Sequence, residues 1–372
     1  MRIFFFASFG DFNEIPAGGG QTAARRLLIL LKSLGYEVNI YNRHRNTNLK
    51  GWRNKIYKLF WGLFDPICFG CKLLFKRRND SIVFFMTYAG SLIPFDLFIS
   101  TITRILCFRT IEYLAGGGAK KLYEKGSSLY RTLFRWTTQN FYEVMLEGIE
   151  NISLIKNVSN VRTYHLPNFT EDGFAPTQYP HKNKNTVNII YFGRICEEKN
   201  ILLSLDIFDE ICKHNESLFF TIIGNGPDEY VRKVENRIAT SSNSHKIKRI
   251  NKVNHETLRE ILVNQHIYLF PSNEPREGHS NALNEAMSWG VIPIVSSNNF
   301  LPSIVGDSSL VANDFDTGSY VQILLALIND KNLLSTKSYQ VYERIRDNFT
   351  QSIVKSNLEK ELKEIFNRNH KG

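Results

Sequence analysis

"IYLFPSNEPREGHSNALNEAMSWGVIPIVSS", residues 267–297, contains the alternation from which the fold can be read. An apolar β-type run (267–272) leads into a polar, glycine-containing loop (273–281), then a helical run (282–290) and a second β-type run (291–297). Strand, loop, helix and strand in that order make a βαβ unit, and such units build parallel sheets whose ligand loops follow the carboxyl ends of the strands. Glu277 sits in the loop and Glu285 in the first turns of the helix. Between them, Gly278, His279 and Ser280 lead into a helix start where the amides of Asn281, Ala282 and Leu283 suit an anionic ligand such as a sugar phosphate. Glutamates near a helix start also arise as simple dipole partners, but a polar loop between two apolar strands favours a site.

The same rhythm extends in both directions. "RIFFFAS", "QTAARRLLILLKSLG", "EVNIYNR", "SIVFFMT" and "LFISTITRILCF" alternate strand and helix signals in the first half. Residues 165–186, "HLPNFTEDGFAPTQYPHKNKNT", carry three prolines and little periodicity, and read as a linker. Alternation resumes with "VNIIYFG". The expectation is an α/β protein with two doubly wound domains, 1–170 and 171–349, and an amphipathic last helix (about 350–372) returning to the first domain. Glycine clusters mark strand ends: Gly18, Gly19 and Gly20 before the first helix, Gly116 and Gly117 after "FRTIEYLA", and Gly224 and Gly226 in "IIGNGPDE". Backbone without a Cβ lets amides approach a ligand closely.

Composition narrows the partners. No apolar run reaches the roughly 18 residues that cross a bilayer, and "MRIFFFASFGDF" predicts a buried first strand rather than a leader. Five scattered cysteines argue against a disulfide framework and for a reducing, cytoplasmic setting. The nine histidines lack metal-binding spacing, so neither a metal nor a cofactor is expected. The net charge of +10 is uneven: residues 1–170 hold 23 Lys and Arg against 11 Asp and Glu, and the remainder holds 23 against 25. Residues 43–78 hold ten basic residues and one acid, interleaved with Trp52, Tyr57, Phe60, Trp61 and Phe64. That composition suits an anionic membrane surface, or a helix packed on a sheet with a solvated basic face. Nucleic acid is not expected, since no recognition motif accompanies the charge.

In "FGRICEEKN", Arg194 and Lys199 follow a strand and precede a helix, where two cations could grip a diphosphate or simply pair with Glu197 and Glu198. Taken in order, "GGGQ", "LPNF", "FGRICEEKN", "IIGNGP" and "FPSNEPREGHSNALNEAMSWGVIPIVSS" resemble the family 4 retaining glycosyltransferases, known from capsule, exopolysaccharide and lipopolysaccharide assembly. The resemblance implies a GT-B fold, with two Rossmann-like domains facing a cleft. It implies a nucleotide-diphosphate-sugar donor and a glycan or lipid-linked acceptor. Arg194 and Lys199, with the helix start at 281–283, would hold the donor diphosphate, Glu285 the ribose, and Glu277 with Gly278, His279 and Ser280 the sugar. Glu277 would be the catalytic residue of the set. Many members carry a first-domain histidine near the segment "FRTIEYLAGGGAKKLYEKG", but this chain has none between His44 and His165. Glu112, Tyr113 or the glycine-loop amides are the alternatives there.

A sugar-nucleotide epimerase of related fold is the nearest rival enzyme. A catalytically silent membrane adaptor is the rival from another class, and intact Arg194, Lys199, Glu277 and Glu285 count against it.

Overall fold

The structure, a computed structural model, describes residues 1–14, 19–44, 51–183 and 186–367; Gly18 lies outside them, as do residues 45–50 of the basic segment. The chain divides into two compact units, Met1–Pro167 with the segment beginning at Lys355, and Asn168–Val354.

Six parallel strands build the sheet of the first unit: β1 (Arg2–Ala7), β2 (Glu37–Asn42), β3 (Ser81–Thr87), β4 (Arg109–Leu114), β5 (Glu143–Leu146) and β6 (Arg162–His165), in the order β2-β1-β3-β4-β5-β6. Its central strands, "RIFFFA" and "SIVFFMT", are buried almost throughout, as unbroken apolar runs require when helices cover both faces of a sheet. The second unit repeats the plan with β7 (Val187–Phe192), β8 (Leu218–Ile223), β9 (Ile247–Ile250), β10 (Ile267–Phe270), β11 (Ile292–Ser296) and β12 (Val311–Ala312), ordered β12-β11-β10-β7-β8-β9. This is the two-domain, Rossmann-like GT-B architecture.

Sheet order locates the ligand edge of each unit. The chain leaves β7 toward β8 and β9, then returns to place β10 on the other side of β7. Loops diverge at that reversal and leave a crevice beyond the carboxyl ends of β7 and β10.

The basic segment forms one helix, Gly51–Leu73, which continues through Pro66. Proline's ring crowds the carbonyl four residues back, here that of Gly62. Gly62 and Gly70 also admit the neighbouring helix Ile93–Ile105: a Cβ would come within 2.7 Å of Phe95 at the first and of Ile102 at the second. The last helix, Gln351–Asn367, returns to the first unit, where Arg109 donates to the Ile365 carbonyl (2.6 Å) and Phe366 stacks on Tyr36.

One expectation changes. Gly19 and Gly20 do not form a loop; they open the helix Gly19–Ser33, and a Cβ on Gly20 would stand 2.6 Å from the Tyr88 hydroxyl. Close packing of a helix start explains Gly20.

Candidate functional site

The loop after β7 is shaped by backbone that other residues could not adopt cheaply. Gly193 has φ 146° and Gly224, at the end of β8, has φ 147°. A Cβ on Gly224 would lie 1.8 Å from the Gly193 carbonyl oxygen, and one on Gly226 would lie 1.6 Å from that of Ile195. The Gly224 and Gly226 turn is therefore a close-packed support for the cation loop, reinforced where the Ile195 amide donates to Asn225 O (2.9 Å). Tyr191 donates its hydroxyl to the Arg194 carbonyl (2.6 Å), and Tyr268 donates to that of Phe192 (2.9 Å). Burial pushes both phenols well above their usual range, so they act as neutral donors.

Asn200 ends this loop in the left-handed conformation (φ 52°) and donates to the Pro271 carbonyl (2.9 Å). The Asn273 amide donates in turn to Glu198 O (2.9 Å). Thus the loops after β7 and β10 are sewn together at the crevice.

Lys199 and Glu277 meet inside that seam. Both side chains are 9% exposed, and Lys199 Nζ is ion-paired with Glu277 Oε2. Ser272 donates its hydroxyl to the same oxygen (2.5 Å), and Lys199 Nζ lies 5.1 Å from the centre of the Phe270 ring. Arg194 is exposed and reaches Glu274 Oε2 at 3.3 Å. Both cations thus pair with carboxylates of the opposite loop, Glu274 and Glu277, and not with the adjacent Glu197 and Glu198.

The helix after the second loop runs Asn281–Ser288, with Ser280 as its N-cap accepting from the Leu283 amide (3.4 Å). Of the three amides expected to greet an anion, that of Leu283 therefore already has a partner, and its side chain is buried. Glu285 is half-buried on this helix and Ala282 is partly accessible. His279, expected among the sugar-binding groups, is buried: Nε2 bonds Asn284 Oδ1 (3.0 Å), and the ring packs edge-on against Phe349. Its carbonyl accepts from Asn168 Nδ2 (2.8 Å), and Asn284 Nδ2 donates to Asn168 O (3.3 Å). The imidazole therefore braces the loop from within, and Asn168 of "LPNF" is the residue that anchors it. Ser272, Glu274 and Asn200 likewise carry the site, although no motif singles them out; only the Pro-Ser and Lys-Asn junctions at strand and loop ends signal them.

In the first unit, Glu112 and Tyr113 both lie inside β4, 4% and 3% exposed. Thr87 donates to Glu112 Oε1 (2.6 Å), and burial pushes that carboxyl up to about 8. Neither side chain is presented to an acceptor. The Gly116 amide donates to Glu147 Oε2, so it too is engaged, and Gly117 is buried.

Residues 177–348 match the family described as "Glycosyl transferases group 1". That stretch, a little under half of the chain, is similar to a glycosyltransferase group 1 domain. It contains the seam residues Arg194, Lys199, Glu274 and Glu277 and the helix that carries Glu285. The chain is also similar to the phosphatidylinositol N-acetylglucosaminyltransferase gpi3 subunit of Schizosaccharomyces pombe, 23% identical over 252 residues, 66% of this chain and 54% of that protein. The chain thus spans only about half the length of this curated relative. Among solved structures, sucrose-phosphate synthase from Thermosynechococcus elongatus superposes with TM-score 0.75 at 14% identity, covering 99% of each chain. HepE from Anabaena, in complex with UDP, superposes with TM-score 0.71 at 11% identity, covering 98% of this chain and all of the other. At such identities the likeness establishes the GT-B fold.

Proposed function

We propose that this protein is a retaining glycosyltransferase of the family 4 type, moving a sugar from a nucleotide-diphosphate donor to a lipid-linked or polysaccharide acceptor in surface glycan assembly. The observation that carries the reading is the gathering of Arg194, Lys199, Glu277 and the Glu285 helix at the chain reversal of the second sheet, inside the matched domain. Departure of a nucleoside diphosphate builds negative charge on phosphate oxygens and oxocarbenium character on the sugar. Arg194, Lys199 and the amides of Asn281 and Ala282 supply the positive counterpart, with no metal needed. Glu277, held by Lys199 and Ser272, is positioned for sugar hydroxyls and for the positively charged ring. Glu285 holds the ribose.

The reading includes peripheral attachment to the cytoplasmic face of an anionic membrane. Support comes from the helix Gly51–Leu73, whose stripe of Trp52, Ile56, Phe60, Leu63, Phe64 and Ile67 is exposed, with basic residues clustered at Arg53–Lys58 and Lys72–Arg78. A monomeric surface seldom leaves so much contiguous apolar area to water. No helix among the described residues is long and apolar enough to cross a membrane.

A thermal-shift panel of UDP-, GDP- and ADP-sugars tests the transferase reading. One donor should raise the melting temperature of the wild type and leave Glu285→Ala unchanged. Release of the nucleoside diphosphate only when a glycan or lipid acceptor is added separates transfer from epimerisation. Stabilisation by no nucleotide sugar would sink the proposal.

A further inference from the structure

A second polar recess lies in the first unit, at the carboxyl ends of β1 and β2. Its volume is about 570 Å³, within the range of small-molecule sites, and its walls include Ser8, Asn13, Gln21, Asn42, His44 and Tyr57. The walls are built rather than incidental. Asn42 accepts from the Phe9 amide (2.9 Å) and donates to the Gly10 carbonyl (2.9 Å), while Arg25 donates to the carbonyls of Phe9 (2.8 Å) and Glu14 (2.9 Å). These bonds hold the strand-end loop open as one wall.

His44 is oriented from behind by a buried carboxylate. Asp65, 1% exposed, accepts from the His44 backbone amide (2.9 Å), from its Nδ1 (2.6 Å) and from the Tyr41 hydroxyl (3.3 Å). A carboxylate that accepts at Nδ1 places the proton there, so Nε2 is the nitrogen left for a ligand. Trp61 stacks on the imidazole with ring centres 3.6 Å apart, and 42% of the His44 side chain remains exposed. An ordered Asp–His pair on the rim of a recess is the kind of device that receives a hydroxyl group.

The charge of the recess selects among ligands. Arg43 is neutralised by buried Asp96 (2.9 Å), His44 is backed by Asp65, and Asp11 adds a negative charge to the wall. Among the described residues that line the recess, Arg43 is the one Lys or Arg, and Asp96 already pairs with it. The Asn13 carboxamide, the Ser8 and Tyr57 hydroxyls and one imidazole nitrogen, mixing donors with acceptors, instead match a ring of hydroxyls. Tyr57 and Trp61 belong to the helix Gly51–Leu73, so the exposed apolar stripe begins where the recess ends.

We propose that this recess binds the sugar or polyol ring of an amphiphile, with His44, oriented by Asp65, accepting from a ring hydroxyl and the ligand's chain lying along the helix Gly51–Leu73. Its role as the acceptor's head site rests on the transferase reading; the binding itself does not. Calorimetric titration of the intact protein with octyl glucoside below its critical micelle concentration tests this. Methyl glucoside and octyl phosphate are the head-only and anionic-head controls. Octyl glucoside should bind more tightly than either control, and His44→Ala should weaken it at least about tenfold. Asn13→Trp, which fills the recess without touching the Asp–His pair, should do the same and keeps the test valid if His44→Ala folds poorly. Equal binding to both variants, or octyl phosphate binding with the same dependence on His44, would overturn the proposal. A UDP thermal shift on the same samples separates the two readings: octyl glucoside binding without a UDP response supports the recess while removing the transferase reading.

Discussion

Charge is handled in opposite ways at the seam of the second unit and along the helix Gly51–Leu73 of the first. In the second, Lys199 and Glu277 are buried, paired and shared between two loops. In the first, the cations stand at the ends of a helix whose exposed face is apolar, and the one acid within that helix, Asp65, is turned to His44. A buried pair is held in one geometry and is sensitive to any change of partner, whereas exposed cations tolerate change because water screens them. The second unit thus holds these charges in a fixed seam, and the helix of the first unit presents an adaptable surface.

The sharpest way to break this contrast is to remove one member of the pair. Lys199→Met leaves Glu277 buried without its cation and should cost about 3–5 kcal/mol, read by urea unfolding. Adding Glu277→Gln should restore most of that stability while nucleotide-sugar binding stays lost. A double variant no more stable than the single one would show that the pair is not a coupled unit.

Next in size is the glycine support. Gly224→Ala places a methyl group against the Gly193 carbonyl at a φ that side chains rarely adopt, and should cost about 1–3 kcal/mol. The same variant should weaken nucleotide-sugar binding, because the cation loop shifts with Gly193. Unchanged affinity would mean that the loop adapts to its ligand.

How far these features can be read in advance follows from chain geometry. The strands are plain in the sequence, since "RIFFFA" and "SIVFFMT" have no other use for unbroken apolar runs in a fold covered on both faces. The loops bearing Arg194, Lys199, Glu277 and Glu285 are visible because each follows a strand. Their pairing is not. Lys199 and Glu277 are 78 positions apart and meet only because β10 returns beside β7, a neighbour relation that periodicity does not encode. His279 looks like a ligand group in a polar loop, and only the position of Asn168 and Phe349 shows it to be a buried brace. His44 stands in the sequence merely as the last histidine before a gap; Asp65, on a different element, is what gives it a role.

A third test lies in the interior of the first unit. Glu112 is pushed up to about 8 by burial, opposed by the Thr87 hydroxyl and assisted by nearby Asp96. The folded protein therefore keeps a proton that the unfolded chain releases near 4.5, the ordinary value for this group. The resulting stability is complete below about pH 4.5 and fades as pH rises toward about 8, with a slope of at most about 1.4 kcal/mol per pH unit. Glu112→Gln keeps the shape without the proton, so its stability relative to wild type should rise between about pH 5 and about pH 8. A difference that does not change with pH would show that Glu112 is already ionised in the fold.

The smallest effect on stability should come from the helix face, and there the contrast between the units becomes most exposed to test. Phe60, Leu63 and Ile67 are 55%, 47% and 49% exposed, so replacing all three with serine removes little packing. Each such surface change should move unfolding free energy by no more than about 0.5 kcal/mol. On vesicles containing anionic lipid the outcome should differ, because burying even one such side chain in the interface is worth about 1.5 kcal/mol, roughly tenfold in affinity. The triple variant should therefore fold like the wild type and sediment with vesicles at least about tenfold less well. If it instead lost several kcal/mol of stability, the stripe would belong to a protein interior, and the helix would be a buried element like the Lys199–Glu277 seam rather than its opposite.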